Sequence, residues 1–563
     1  MPVSNDAELD SLHTRLYCPH DIPRPELPPA ERLVWHITTP DGADRKFRRE
    51  ILSAFPPRFQ KVLAENYLTT AQTHGMADAN MELLDFSERM GGKTLRLAAD
   101  DDEIVCFARK RADVSLRLAA FLRDPARTYE ALADYAKLFG IEPPHPGKHL
   151  TLQGAVSRLC CNRWWRRAVR RTHGRKFESA AIALGLVHRR RGIYVSDETL
   201  SRRLAQRKRN HDMLEALRAV NELGQAFTLA ELADTSTSNP AIRRAELMTR
   251  IEGFEEIARA DGDVGLFLTF TCPSRMHARR WTTGEQNPNY DGTTPREAQR
   301  YLARIWTQMR SALGRRNIRP YGFRVAEPQH DGTPHWHLLL FVAPEHAEAL
   351  CQICRTYCLR DTPDESGASE YRFKEVRIDW NKGTAAGYIA KYIAKNIDGF
   401  GVGRDLLGND AKTTAQRVDA WASTWGIRQF QQIGGPSVTV WRELRRLHNE
   451  SQGLIGKAWA AADQGDWATF VRLMGGANAR RGDMPITLHK VWNDRPGRYG
   501  EPVGEQIVGI AWDKVICITR LHQWTINTAS EACAIYTDAP VFRSATAPPI
   551  AVLDHGVAGC GRR

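Results

Sequence analysis

The sequence predicts an α+β protein. Its core is an antiparallel sheet covered by helices, preceded by a mainly helical N-terminal region and followed by a smaller C-terminal region. Three observations carry this. Between residues 261 and 445 the apolar pattern alternates between the two-residue period of strands and the 3.6-residue period of helices, in the order β-α-β-β-α-β-α. The two central strands are joined by a turn with an Asp-Gly step, which favours direct antiparallel pairing. At 563 residues, with 42% hydrophobic and 26% charged side chains, the chain has room for roughly three or four domains.

The elements follow in order. GLFLTFTC (265–272) is apolar, β-branched and aromatic, and Pro273 closes it, which makes it a strand. NPNYDGTTP is a loop. PREAQRYLARIWTQMRSAL has apolar positions at Tyr301, Leu302, Ile305, Trp306 and Met309, the stripe of an amphipathic helix. GFRVAEP (322–328) and HWHLLLFVA (335–343) are strands flanking the turn QHDGTP. In the next helix Cys351, Cys354 and Cys358 recur at i, i+3, i+7, so they share one face and read as buried thiols; a zinc site would need further ligands nearby. A strand at RFKEVRIDW and a helix at TAAGYIAKYIAKNID, ended by Gly399, complete the core. A helix is also expected in RKFRREILSAFPPRF near the N-terminus, whereas WGIRQFQQIGGPSVTVWRELRRL and the final segment carry no readable signal. The expected divisions are 1–157, a region of unassigned role; 158–260, basic and mainly helical; 261–445, the core; and 446–563, again unassigned.

Charge points to a partner class. The 79 Lys+Arg exceed the 66 Asp+Glu by 13, which favours nucleic acid. Residues 158–209 hold 16 Lys+Arg and three acids, so this stretch alone accounts for the whole excess. Aromatic residues Trp164, Trp165 and Tyr194 interleave it, as a surface that holds phosphates and stacks bases requires. The candidate DNA-contacting residues are Arg163, Trp164, Arg166, Arg167, Arg170, Arg171, Arg189, Arg190 and Arg191. No run of about 18 apolar residues predicts a membrane span. The start MPVSNDAELDSLH lacks the features of a signal peptide, so a cytoplasmic protein with reduced cysteines is expected. MGGKTLR (90–96) imitates the end of a phosphate-binding loop, but the glycine required five positions before Gly92 is Ser87, and no ATP-driven motor is expected.

Two clusters carry chemistry. Side chains alternate across a strand, so His335 and His337 share a face, with Cα atoms about 7 Å apart, and can converge on one divalent ion. Glu327 on the preceding strand could complete a His-His-carboxylate set; His330 in the turn is the competing third ligand. Such mixed ligation suits Mg²⁺ or Mn²⁺ as well as zinc. On a helix, YIAKYIAK places Tyr388, Lys391, Tyr392 and Lys395 within an arc of about 100°. Burying two lysines there would be costly, so this face is read as functional. A phenol is a weak nucleophile, and its useful target is a phosphodiester activated by a metal ion, with lysines neutralising developing charge.

Together these motifs resemble the two-tyrosine HUH endonucleases, where U is a hydrophobic residue, here Trp336. The strings EPQHDGTPHWH and AAGYIAKYIAKNIDG are similar to those of the phage replication gene A proteins, which initiate rolling-circle replication; the resemblance covers roughly 260–445. It implies Tyr388 and Tyr392 as nucleophiles, Lys391 assisting within YxxKY, and His335, His337 and Glu327 as ligands of Mg²⁺ or Mn²⁺. It further implies a nick at single-stranded origin DNA that leaves a 5′-phosphotyrosine and a free 3′-hydroxyl, rejoining after synthesis, and a host helicase and single-strand binding protein as partners in the bacterial cytoplasm. The alternatives are an HUH relaxase or transposase, against which the order histidines-then-tyrosines and the chain length argue, or a non-catalytic origin-binding protein.

Overall fold

The computed structural model describes residue 34 and residues 37–38, 43–90, 95–122, 124–147, 150–400, 410–447 and 453–528. The Pro-rich start, residues 91–94 of MGGKTLR and the last 35 positions therefore lie outside the described residues. The chain divides into two compact units, Met1–Val187 with Pro496–Glu501, and His188–Arg495 with Pro502–Arg563. The divisions expected at 157, 260 and 445 do not coincide with this one. The basic stretch is shared between the units, because its first helix is held in the first unit by an apolar face.

The first unit is helical. The single helix expected in RKFRREILSAFPPRF is two, Ala43–Ser53 and Pro57–His74. Pro56 is extended (φ −60°, ψ 152°) and Pro57 starts the second helix, where its missing N–H costs nothing. Further helices run Met76–Met90, Asp101–Leu122, Pro125–Lys137, Leu152–Leu159 and Asn162–Ala183. Trp165 is fully buried among them. Its ring lies 5.9 Å from Tyr135 and 6.1 Å from Phe139, and its Nε1 donates to Leu159 O at 2.6 Å.

The second unit contains eleven strands among the described residues: β1 (Leu217–Asn221), β2 (Ala226–Thr228), β3 (Val264–Thr271), β4 (Tyr321–Pro328), β5 (Pro334–Val342), β6 (Phe373–Arg377), β7 (Phe430–Ile433), β8 (Ile486–Pro496), β9 (Pro502–Trp512), β10 (Val515–Ile518) and β11 (Trp524–Thr528). The central sheet has the order β6-β3-β5-β4-β7, every pair antiparallel. Its helices fall between the strands as the apolar pattern predicts, and the α+β expectation holds. The unpredicted member is β7, a short edge strand inside the segment that carried no signal.

Both faces of the sheet are covered, which is why β5 reads as an almost unbroken apolar run. On one face Trp336 donates from Nε1 to Gln299 Oε1 at 2.9 Å, and Phe270 meets Trp306 at 6.2 Å, both partners lying on the helix Pro295–Arg315. On the other, Phe267, Phe323, Leu339 and Phe341 pack with Phe254 of the helix Pro240–Asp261 and with Ile389 and Ile393 of the helix Ala385–Ile397. Ile455, Trp467 and Phe470 join this same core, so the expected C-terminal region supplies part of the core's hydrophobic filling. β11 pairs with β1, and β8, β9 and β10 form a third sheet. Among the described residues no helix is long and apolar enough to cross a membrane.

Candidate metal and tyrosine site

Ladder register sets the site. Glu327 on β4 lies directly opposite His335 on β5, and Thr269 on β3 lies opposite His337. The three strands therefore deliver a carboxylate, two imidazoles and a hydroxyl to one face. The His335 and His337 Nε2 atoms are 2.9 Å apart, and Glu327 Oε2 is 3.9 and 3.7 Å from them. One ligand atom from each of the three residues lies within 4.8 Å of the others, the only such group of metal-ligating side chains among the described residues. His330, the competing ligand, is not part of it. Its ring is buried and meets Trp281 edge-on, centroids 5.1 Å apart.

Burial sets the protonation of both imidazoles. Burial lowers the His337 pKa to about 3, with the Lys395 ammonium adding to the effect. Burial and the neighbouring His337 push His335 well below its ordinary value against the pull of Glu327. Both rings are thus neutral near pH 7, the form that binds metals. His337 Nδ1 is 3.0 Å from Thr269 Oγ1, and when it donates there its Nε2 lone pair faces the cluster. Two ligand atoms about 2.1 Å from one ion and at right angles lie ~3.0 Å apart, so the donor set fits a divalent ion.

The helix Ala385–Ile397 closes the site. Thr384 caps it by accepting from Gly387 N at 2.9 Å, and the buried Glu255 carboxylate accepts from Ala386 N at 2.8 Å. Gly399 ends it at φ +73°, where an added Cβ would sit 2.6 Å from the Ala411 backbone. On the face turned to the sheet, the Tyr392 ring lies 4.2 Å from His337 and 5.3 Å from Phe267. Burial, with the Glu327 carboxylate adding, raises its phenol pKa. Tyr388, one turn earlier, is half exposed with its ring 5.4 Å from Phe267.

The two lysines part company. Lys395 Nζ is 3.4 Å from Glu327 Oε2; burial would lower its pKa, but Glu327 and Tyr194 outweigh it and hold the ammonium above its ordinary value. Lys391 is exposed and makes no hydrogen bond or ion pair among the described residues. Asn396 was not singled out from sequence. Its amide donates both to Glu327 Oε1 and to Tyr392 O, and Gln429 Nε2 donates to Asn396 O at 3.2 Å. Its position four residues after Tyr392 was the available signal.

The basic residues are less uniform than their count suggests. Trp165 and Tyr194 are buried and cannot stack a base at the surface. Tyr194 instead holds φ +68°, donates its N–H to His330 O at 3.2 Å and faces Lys395 Nζ at 5.3 Å, which makes it part of the site. Trp164 is half-buried, edge-on to Trp165 at 5.5 Å. Arg170 is held by Asp101 through two bonds of 2.8 and 2.6 Å. Arg163 and Arg166 are half-buried, and burial with the nearby Arg170 and Arg163 lowers the Arg166 pKa. Arg167 and Arg171 are exposed on the first unit. Arg189, Arg190 and Arg191 are exposed on the second, with the Arg189 guanidinium 5.1 Å from the Trp281 ring.

Comparison with known proteins bears on the same residues. The model of the bacteriophage replication gene A protein family matches residues 108–400. The chain is 41% identical over 409 residues to the replication protein of Haemophilus phage HP1 (strain HP1c1), covering 70% of this chain and 52% of that protein. It is 38% identical over 430 residues to the replication gene A protein of Escherichia phage P2 (71% and 56%). It is also 33% identical over 427 residues to a probable replication endonuclease from a prophage-like region of Salmonella paratyphi A (strain ATCC 9150 / SARB42) (71% and 53%). The chain thus spans a little over half the length of these relatives. No solved structure matches it. The family match takes in more than half of the chain, with Glu327, His335, His337, Tyr388 and Tyr392 all inside it, and the chain belongs to the bacteriophage replication gene A protein family.

Proposed function

We propose that this protein is a metal-dependent endonuclease that nicks one strand of phage origin DNA by tyrosine transesterification and rejoins it after rolling-circle synthesis. The observation that supports it most is the placement of Tyr392 against His337, 4.2 Å between rings, beside the Glu327–His335–His337 cluster. The names of the relatives, replication proteins and probable replication endonucleases, agree with this reading. Glu327, His335 and His337 would hold Mg²⁺ or Mn²⁺, which when bound polarises a phosphate oxygen.

The chain's own residues do the rest. The phenol oxygen of Tyr388 or Tyr392 forms a bond to phosphorus as the bond from phosphorus to the 3′ oxygen breaks. The phenol loses its proton and the 3′ oxygen gains one, leaving a 5′-phosphotyrosine and a 3′-hydroxyl, so the phosphodiester energy is kept for rejoining. Lys395 stabilises the carboxylate and brings positive charge to the site, while Asn396 fixes the Glu327 carboxylate relative to the tyrosine helix. Lys391, exposed on the helix of the tyrosines, would meet the phosphate of an incoming strand. Arg167, Arg171 and Arg189–Arg191 supply backbone contacts, a host helicase and single-strand binding protein supply unwinding, and the host cytoplasm is the site of action.

The test is incubation with a labelled single-stranded origin oligonucleotide and Mn²⁺ or Mg²⁺, followed by a denaturing gel. A covalent protein–DNA adduct, lost in Tyr388→Phe/Tyr392→Phe and lost with EDTA, is expected. An adduct that persists in the double variant or in EDTA overturns the reading.

A further inference from the structure

Away from the metal cluster, the second unit contains a cleft of about 720 Å³ between the edge strand β7 and the helix Pro240–Asp261. Five arginines and one carboxylate line it: Arg243, Arg250, Arg428, Arg442, Arg481 and Glu246. Glu246 is shared. It accepts two bonds from Arg442, at 2.7 and 2.6 Å, and lies 3.4 Å from Arg250. Arg250 is only 7% exposed; burial pushes its pKa down to about 10 despite Glu246, and Arg442 and Arg428 add to the fall. Arg243, Arg428 and Arg481 are exposed, with no carboxylate within ion-pair distance among the described residues.

The wall of the cleft is built to stay in place. Gln432 accepts from Arg250 Nη1 at 3.1 Å and donates from Nε2 to Gly434 O at 2.9 Å and Pro436 O at 3.0 Å. Arg250 lies over the Phe323 ring and Arg243 over the Phe430 ring, each 5.2 Å from the centroid. Guanidiniums with one carboxylate between them complement phosphate oxygens, and the exposed Arg243, seated on the Phe430 ring, presents a flat face for a base. Phe323 is on the same strand and face as Glu327, four residues away. At about 3.3 Å per strand residue that is ~13 Å, the reach of a few nucleotides, which rise ~3.4 Å each along a duplex axis.

We propose that this cleft binds the phosphodiester backbone of a DNA strand a few nucleotides from the metal site. The ligand class rests on the strand-cleavage reading, but the test does not. Binding of a labelled single-stranded oligonucleotide to the full chain is measured by fluorescence anisotropy in EDTA between 50 and 200 mM salt, a range in which phosphate contacts dominate. Loss of three phosphate contacts in Arg243→Ala/Arg428→Ala/Arg481→Ala lowers the slope of log affinity against log salt by about 2, and affinity falls at least about tenfold. Arg481→Glu, a single change at an exposed position, lowers affinity in the same direction and removes misfolding as an explanation. Unchanged slope and affinity in both variants overturn the proposal. Inorganic tripolyphosphate is run in parallel: if the triple variant loses tripolyphosphate binding while its oligonucleotide slope is unchanged, the cleft is a small-phosphate site and the strand proposal fails. If the unaltered protein forms no tyrosine adduct, the cleavage reading fails while the salt slopes still decide the cleft.

Discussion

Tyr392 and His337 pack ring against ring in a tilted contact, centroids 4.2 Å apart and planes at 41°, whereas Tyr388 stands half exposed one helical turn away. The two phenols are therefore not equivalent. Tyr392→Phe is expected to reduce single-turnover adduct formation on a short single-stranded oligonucleotide by at least ~10³-fold. Tyr388→Phe should retain that first cleavage and lose the second, joining step. Gel quantification of adduct and circular product checks both; equal defects would show that the asymmetry is without consequence.

Glu327 is buried between the imidazoles and Lys395. Glu327→Gln keeps its shape but leaves the Lys395 ammonium, 20% exposed, without its countercharge. In metal-free buffer this should destabilise the protein by roughly 3 kcal/mol, read as a lower urea midpoint. In the same variant the rise in Tm on adding Mn²⁺ should vanish.

Asn396 donates to Glu327, and under the proposed mechanism it would act through that carboxylate rather than on substrate. Asn396→Ala should weaken Mn²⁺ binding by about 10- to 100-fold, measured by calorimetry, and saturating Mn²⁺ should restore most of the cleavage rate. No rescue would indicate a role apart from orienting the carboxylate.

Acid should destabilise the metal-free protein through His337 and His188. Burial lowers both, His337 to about 3 and His188 to about 4, below the ordinary value of 6.5. Each group's folded pKa lies below its unfolded one, so the stabilisation is complete above pH 6.5 and lost as pH falls toward 4 and 3, where the unfolded chain binds the extra proton. Urea midpoints should drop between pH 7 and pH 5, and His337→Gln should flatten that drop.

The basic helix separates folding from binding. Arg170→Ala removes the pair with Asp101 and should cost about 1 kcal/mol of stability with little change in salt dependence. Arg167→Ala/Arg171→Ala should leave the Tm unchanged and flatten the salt slope of DNA binding by up to ~1.4. Anisotropy titrations and thermal melts on the same samples distinguish the two.

Local periodicity was sufficient for much of this protein. Strand alternation alone put His335 and His337 on one face, helical periodicity alone put Tyr388, Lys391, Tyr392 and Lys395 on one arc, and the apolar pattern named all seven expected core elements in order while missing β7. These are relations between residues a few positions apart, set by backbone geometry that every strand or helix shares. Long-range choices were not legible. That Lys395 rather than Lys391 reaches Glu327, that Asn396 holds its other oxygen, that Tyr194 leaves the basic surface for the site, and that His330 turns away from it all depend on the register of β4 against β5 and on how the tyrosine helix docks. Glu327 and Lys395 are 68 residues apart, and the cleft joins arginines from position 243 to position 481. No local period connects such distances; only the burial of shared apolar faces brings those residues together.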